Sequence, residues 1–208
     1  MKLSIVLLVG CATWLGADAP HAADVSPDMH EAAIKVAVTT CATCHGAQGR
    51  SFNPKFPRLA AQHATYLVAQ MKNFKTQTRG DADALGYMWG MAAPLSDELI
   101  NALAAYYSVQ RPVSGEGSDP TLIARGKDIY ENGVAAEGIP PCASCHGPQA
   151  EGTDDFPRLA GQHVQYLLKQ LRSFQNNMRD VAIMHGVTSG LKSSEMAAVA
   201  SYLQSLGN

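Results

Sequence analysis

Between residues 59 and 74 the side chains Leu59, His63, Tyr66, Leu67, Gln70, Met71 and Phe74 recur every three or four positions, the spacing of one helix face. Leu95, Leu99, Ile100, Leu103, Tyr106 and Tyr107 form a second such stripe, and Leu191, Met196, Val199, Ala200 and Leu203 a third. Further helices are expected over 28–40 and 120–132; Pro120 would open the latter behind a capping Ser118 or Asp119. No alternating run of β-branched residues competes with these stripes, so the expected fold is all-α.

The stripes are related to one another. Phe56-Pro57-Arg58-Leu59-Ala60 returns as Phe156-Pro157-Arg158-Leu159-Ala160, and Gln62-His63, Tyr66-Leu67, Gln70 and Phe74 return at the same offset. Eleven of the nineteen positions from 56 to 74 match their partners. Two copies make a tandem duplication rather than a solenoid. Between them, Arg111-Pro112-Val113-Ser114-Gly115-Glu116-Gly117-Ser118 is rich in Pro, Gly and Ser and has no apolar period, so it reads as a linker. The expected domains are 24–112 and 119–208, joined through 113–118.

Residues 1–23 read as a secretory signal: Lys2, then the apolar run from Leu3 to Val9, then small residues through Ala22-Ala23. Leu8-Val9-Gly10-Cys11 also resembles a lipobox, in which Cys11 would carry a lipid. The 208-residue chain is 46% hydrophobic and 16% charged, which suits a globular protein. Its net charge of −2 and lack of basic runs argue against a nucleic-acid partner.

The chemistry lies in the five cysteines, four of which form two close pairs. Cys41-Ala42-Thr43-Cys44-His45-Gly46 returns as Cys142-Ala143-Ser144-Cys145-His146-Gly147. Two thiols three residues apart can add to the two vinyl groups of a haem, and the adjoining imidazole can ligate its iron. A thioredoxin-like redox pair would need a βαβ setting, zinc would need four ligands per site, and a plain disulfide would leave the histidine unexplained. Two covalently bound haem c groups account best for the pattern. They would also fill the thin core of a helical domain of about 90 residues.

The iron's other axial ligand should occur in both copies. Met88 and Met184 alone coincide, each seven residues before the leucine expected to open the last helix of its copy, in the shared patterns Met88-Trp89-Gly90 and Met184-His185-Gly186. Both are expected in loops, with Met91 the alternative in the first copy. His63 and His163 also repeat, but on the apolar stripe in mid-helix, where an interface role is the commoner one. Cys41, Cys44, Cys142 and Cys145 are thus the attachment residues, and His45, Met88, His146 and Met184 the metal ligands. Histidine and thioether together raise the potential relative to two histidines and leave no vacancy for substrate. That argues for an electron carrier rather than an enzyme.

With these motifs the chain resembles the dihaem cytochrome c4 family over essentially its whole length after residue 23. The Phe-Pro-Arg-Leu-Ala segments, Met88-Trp89-Gly90-Met91 ahead of Pro94-Leu95-Ser96-Asp97, and Leu103-Ala104-Ala105-Tyr106-Tyr107 also carry the resemblance. It implies two cytochrome c-like domains related by a pseudo-twofold axis, with haem propionates approaching across the interface. It further implies a periplasmic protein, loosely membrane-associated in some cases, that passes single electrons from a quinol-oxidising complex toward a terminal oxidase. The alternative is the cytochrome subunit of a flavoprotein sulfide dehydrogenase; a dihaem peroxidase fits two Met-x-Gly segments poorly. By the same analogy the carbonyls of Pro57 and Pro157 would accept the Nδ1–H of His45 and His146, and Arg58 and Arg158 would screen propionate charge or stand as exposed cations. The stretch from Arg79 to Tyr87 is four residues longer than its counterpart, so the two ligand segments should differ.

Overall fold

The computed structural model describes residues 25–117 and 119–207; the signal segment, Cys11 and Ser118 lie outside them. The described residues are helical, with only isolated antiparallel bridges, Arg79 to Arg179 and Val134 to Ile139. The first half runs α1 (Pro27–Val36), a π-helical turn (Ala37–Cys41), α2 (Ala42–His45), α3 (Ala64–Lys75), a second π turn (Ala84–Met88) leading into α4 (Trp89–Ala92), and α5 (Asp97–Ser108). The second half runs α6 (Pro120–Asn132), α7 (Ala143–His146), α8 (Val164–Gln175), α9 (Ala182–Ser189) and α10 (Ser193–Ser205).

Local chemistry sets these limits. Ser26 Oγ accepts the Met29 N–H at the start of α1, Ser96 Oγ accepts that of Leu99 at the start of α5, and Asp119 accepts that of Thr121 at the start of α6. Each such cap contributes about 1 kcal/mol. At α10, whose N-cap is Lys192, the Glu195 carboxylate reaches back to the Lys192 N–H at 2.8 Å. Between α5 and α6 the linker lies against the end of α10, where a Cβ on Gly115 would sit 2.5 Å from Ser205.

Each half has its own core. Leu67, Leu103 and Tyr107 close one with Ala33, Ala102 and Ala104, where α1 and α3 meet α5. Ile129, Tyr130, Leu167, Val199 and Leu203 close the other, where α6 and α8 meet α10. α6 crosses α10 so closely that a Cβ on Gly126 would lie 2.0 Å from the Ala198 carbonyl oxygen.

The structure departs from the periodicity in three places. Leu59 and His63 precede α3, and His63 and His163 are the N-caps of α3 and α8 rather than mid-helix residues. Further helical segments appear in each half, and Met88 and Met184 lie on two of them rather than in loops. The longer stretch of the first half is absorbed between Arg79 and Met88, where the chain winds into the π turn. A π turn takes in one extra residue without unfolding the helix, and the rest of the four-residue difference lengthens the helical run ahead of Met88.

Candidate functional site

Each Cys-x-x-Cys-His segment is one helical turn ended by a glycine. α2 stops after His45 because Gly46 turns the chain with φ 75°, and α7 stops after His146 because Gly147 does so with φ 80°. A Cβ at Gly46 would meet the Arg50 carbonyl oxygen at 2.8 Å, so this position needs glycine on two counts. The turn leaves Cys41, Cys44, Cys142 and Cys145 half-buried, all as free thiols. Burial pushes the Cys41 thiol up, and that of Cys142 up to about 11.

The two histidines are buried and held in matching ways. His45 Nδ1–H donates to the Pro57 carbonyl at 2.9 Å, and His146 Nδ1–H to that of Pro157 at 3.1 Å. Phe56 and Phe156 set their rings edge-on against them, with centroids 6.3 and 6.0 Å away. Burial pushes both imidazoles below the usual histidine range. Each has one nitrogen fixed by a carbonyl and Nε2 free of hydrogen bonds, the arrangement of a metal ligand oriented through its other nitrogen.

Among the described residues no three His, Cys, Asp or Glu side chains converge on a metal position. The donor set therefore does not suit a protein-built zinc site. It does suit a haem, which brings four in-plane nitrogens and asks the protein only for axial ligands and paired thiols. Leu85, Tyr87 and Met91 near Met88, and Val181 and Ile183 near Met184, stand exposed, an apolar surface of the kind a large apolar group would cover.

The methionines are half-buried. Met88 packs with Phe74, Met71 and Trp89, apart from the cluster that includes Cys41, and Met91 next to it is 41% exposed. Trp89 Nε1–H donates to the Arg79 carbonyl at 2.8 Å, and His185 Nδ1–H to that of Phe174 at 2.9 Å. His63 and His163 use Nε2–H on the opposite half, donating to the carbonyls of Glu151 and Ser51, both at 2.9 Å.

Those contacts belong to an interface that spacing alone did not disclose. Gln162 Oε1 accepts the Arg58 N–H and Gln162 Nε2 donates to the Arg58 carbonyl, both at 2.9 Å. Gln62 treats Arg158 identically, at 2.8 and 3.0 Å. Further along the seam, Arg79 and Arg179 are both 6% exposed, stack on Phe74 and Phe174, and share Gln70 and Gln170 as acceptors. Arg79 also pairs with buried Asp81, which stands in the longer stretch; the equivalent position in the second half is Val181. Asp83 of the same stretch pairs with Lys169 on α8. Arg58 is not an exposed cation: it is buried and donates to Ser51 and Gly161. The signal in the sequence was the retention of Gln62, Gln70 and Tyr66 with their copies on otherwise apolar stripes.

Comparison with known proteins agrees with this geometry. The cytochrome c family model matches residues 31–108 and 123–207. Cytochrome c4 of Azotobacter vinelandii is 38% identical over 198 residues, covering 89% of this chain and 91% of that protein. A thiosulfate dehydrogenase electron acceptor of Thiomonas intermedia is 36% identical over 180 residues, covering 83% and 81%. The solved structure of Acidithiobacillus ferrooxidans cytochrome c4 superposes with a TM-score of 0.76 at 40% identity, covering 80% of this chain and 98% of that one.

Proposed function

From the chain's membership of the cytochrome c family, and within it of the cytochrome c4 proteins, we propose that it is a periplasmic dihaem carrier moving single electrons between respiratory complexes, toward a terminal oxidase. The protein carries two covalently bound haem c groups, each of which takes up and gives back one electron at its iron. Its partners are redox proteins.

In this reading Cys41 and Cys44 hold one group and Cys142 and Cys145 the other. His45 and His146 present Nε2 to the metal while Pro57 and Pro157 keep their rings from turning. Met88 and Met184, on their helical turns, would hold the group through their thioethers, and a group held from both sides would exchange electrons rather than bind substrate. The observation that carries the proposal is the pair of buried imidazoles, each anchored through Nδ1 directly after a Cys-x-x-Cys pair.

The oxidised protein is expected to show the weak far-red absorption of an iron–thioether bond, and Met88→Ala and Met184→Ala each to remove part of it. High-spin iron in the resting wild-type protein would overturn the carrier reading. A second reading is favoured by the similarity to the Thiomonas intermedia protein: entry of electrons from a sulfur-oxidising dehydrogenase. Purification of the native complex separates the two by the partner it retains. Among the described residues no helix is long and apolar enough to cross a membrane.

A further inference from the structure

The two halves differ in the charges they bury along the seam. Arg79 and Arg179, joined by an antiparallel bridge, lie side by side, and each donates to both Gln70 Oε1 and Gln170 Oε1, all four bonds at 2.8 Å. Asp81, 3% exposed, accepts the Arg79 Nε–H at 2.6 Å. Arg179 donates instead to the Tyr66 hydroxyl at 2.7 Å, and among the described residues no carboxylate lies within ion-pair distance of it. Val181 stands at the position equivalent to Asp81. Of two buried cations that share their acceptors, one therefore has a counter-charge and the other does not.

Both arginines sit close to the segments that carry the methionines. Arg79 lies over the Phe74 ring, 4.7 Å from its centroid, and Phe74 packs with Met88 and Trp89. The Leu85 N–H donates to the Asp81 carbonyl at 3.0 Å, so Asp81 stands at the head of the helical run that ends in Met88. In the second half Arg179 lies over Phe174 at 4.6 Å, and His185, the neighbour of Met184, bonds the Phe174 carbonyl through its ring and the Val181 carbonyl through its N–H, both at 2.9 Å. Matching places thus hold the two cations. Packing alone does not account for Asp81, since Arg179 keeps the same bridge and the same amide acceptors without such a residue.

Reduction adds a negative charge to a redox site. A cation buried nearby favours that state, more strongly in a low-dielectric seam than at a wet surface, and a carboxylate bound to the cation offsets the effect. We propose that Asp81 is a positioning residue that sets the charge beside the N-terminal haem site: paired with Arg79, it holds the reduction potential of that half below the value an unpaired Arg79 would give, whereas Arg179 acts on the C-terminal half without such an offset. The proposal rests on the haem reading given above.

The test is a redox titration of the full-length holoprotein, of Asp81→Asn, which keeps the shape of the side chain and removes its charge, and of Val181→Asp, which offers Arg179 the missing carboxylate. Haem content is measured first: fewer than two covalent haems in the wild type would defeat the haem reading, and with two present any failure belongs to this inference alone. Asp81→Asn should shift one redox wave to higher potential and move the other less. Val181→Asp should shift the other wave to lower potential, by a smaller amount because Val181 is 36% exposed. The far-red band of the iron–thioether bond should persist in both variants. Should Asp81→Asn fail to carry both haems, Val181→Asp alone decides. A wave that does not move in its variant, equal movement of both waves, or a shift that accompanies loss of the far-red band would overturn the proposal and leave the Arg79–Asp81 pair structural.

Discussion

Replacing Gln162 by alanine tests whether the halves are locked through the backbone. The amide makes three bonds: Oε1 accepts the N–H groups of Arg58 (2.9 Å) and His163 (3.0 Å), and Nε2 donates to the Arg58 carbonyl. Gln162 and Arg58 are 7% and 8% exposed, so truncation strands three buried backbone groups. A buried group left unpaired costs about 1–3 kcal/mol. The small recess beside Arg58, Gln62, Arg158 and Gln162 has a volume of only about 10 Å³, barely one water. The shortened side chain enlarges it, and an entering water recovers part of the loss. A net cost of about 2–4 kcal/mol is therefore expected on unfolding, read as a lower urea midpoint by circular dichroism. Lys127→Ala, which removes an exposed pair with Glu131, serves as the reference and should cost at most about 0.5 kcal/mol. Gln62→Ala breaks the mirror set and should behave similarly. The double variant should cost less than the sum, because one break already loosens the seam. A Gln162→Ala midpoint no lower than that of Lys127→Ala would refute the argument.

Two further outcomes follow from single groups. Burial first, and then the Arg58 cation, hold His163 below the usual histidine range, against the Ser51 carbonyl and Glu116, which favour its charge. The unfolded chain binds this proton more readily, so the stability it confers is full above the unfolded value of about 6.5 and falls as pH drops from there to the folded value; urea midpoints should decline over that window, and less so in His163→Gln. Gly126→Ala should force α6 away from α10, since its Cβ would lie 2.0 Å from the Ala198 oxygen; a loss of about 1–3 kcal/mol is expected in thermal unfolding, and an unchanged midpoint would show that the crossing is looser than described.

The Cys-x-x-Cys-His turns were legible because their pattern is local: two cysteines, a histidine and a glycine lie within six consecutive residues of each copy, and each folds as one helical turn ended by the glycine. The start of α6 was equally plain, since Asp119 and Pro120 carry both the cap and the first helical φ. The turns bearing Met88 and Met184 were not. Neither has a side-chain cap, and Gly86, Gly90 and Gly186 suggest loops, while packing against α3 and α8 keeps them helical. His63 and His163 match the stripe by spacing, yet they cap their helices and reach across the seam. Only folding brings residues about 100 positions apart into hydrogen-bond distance, so the Arg79–Arg179 network could be seen as repeated polar positions but not as a partnership.

The crossed glutamines carry a meaning of their own. When Gln62 holds Arg158 while Gln162 holds Arg58, one patch is docked on a copy of itself, the isologous arrangement typical of twofold homodimers. One chain thus holds two copies of a self-complementary patch that a homodimer would take from two molecules, and within one chain the copies need not be identical: Asp81 stands where the other half has Val181, and Tyr107 where it has Leu203.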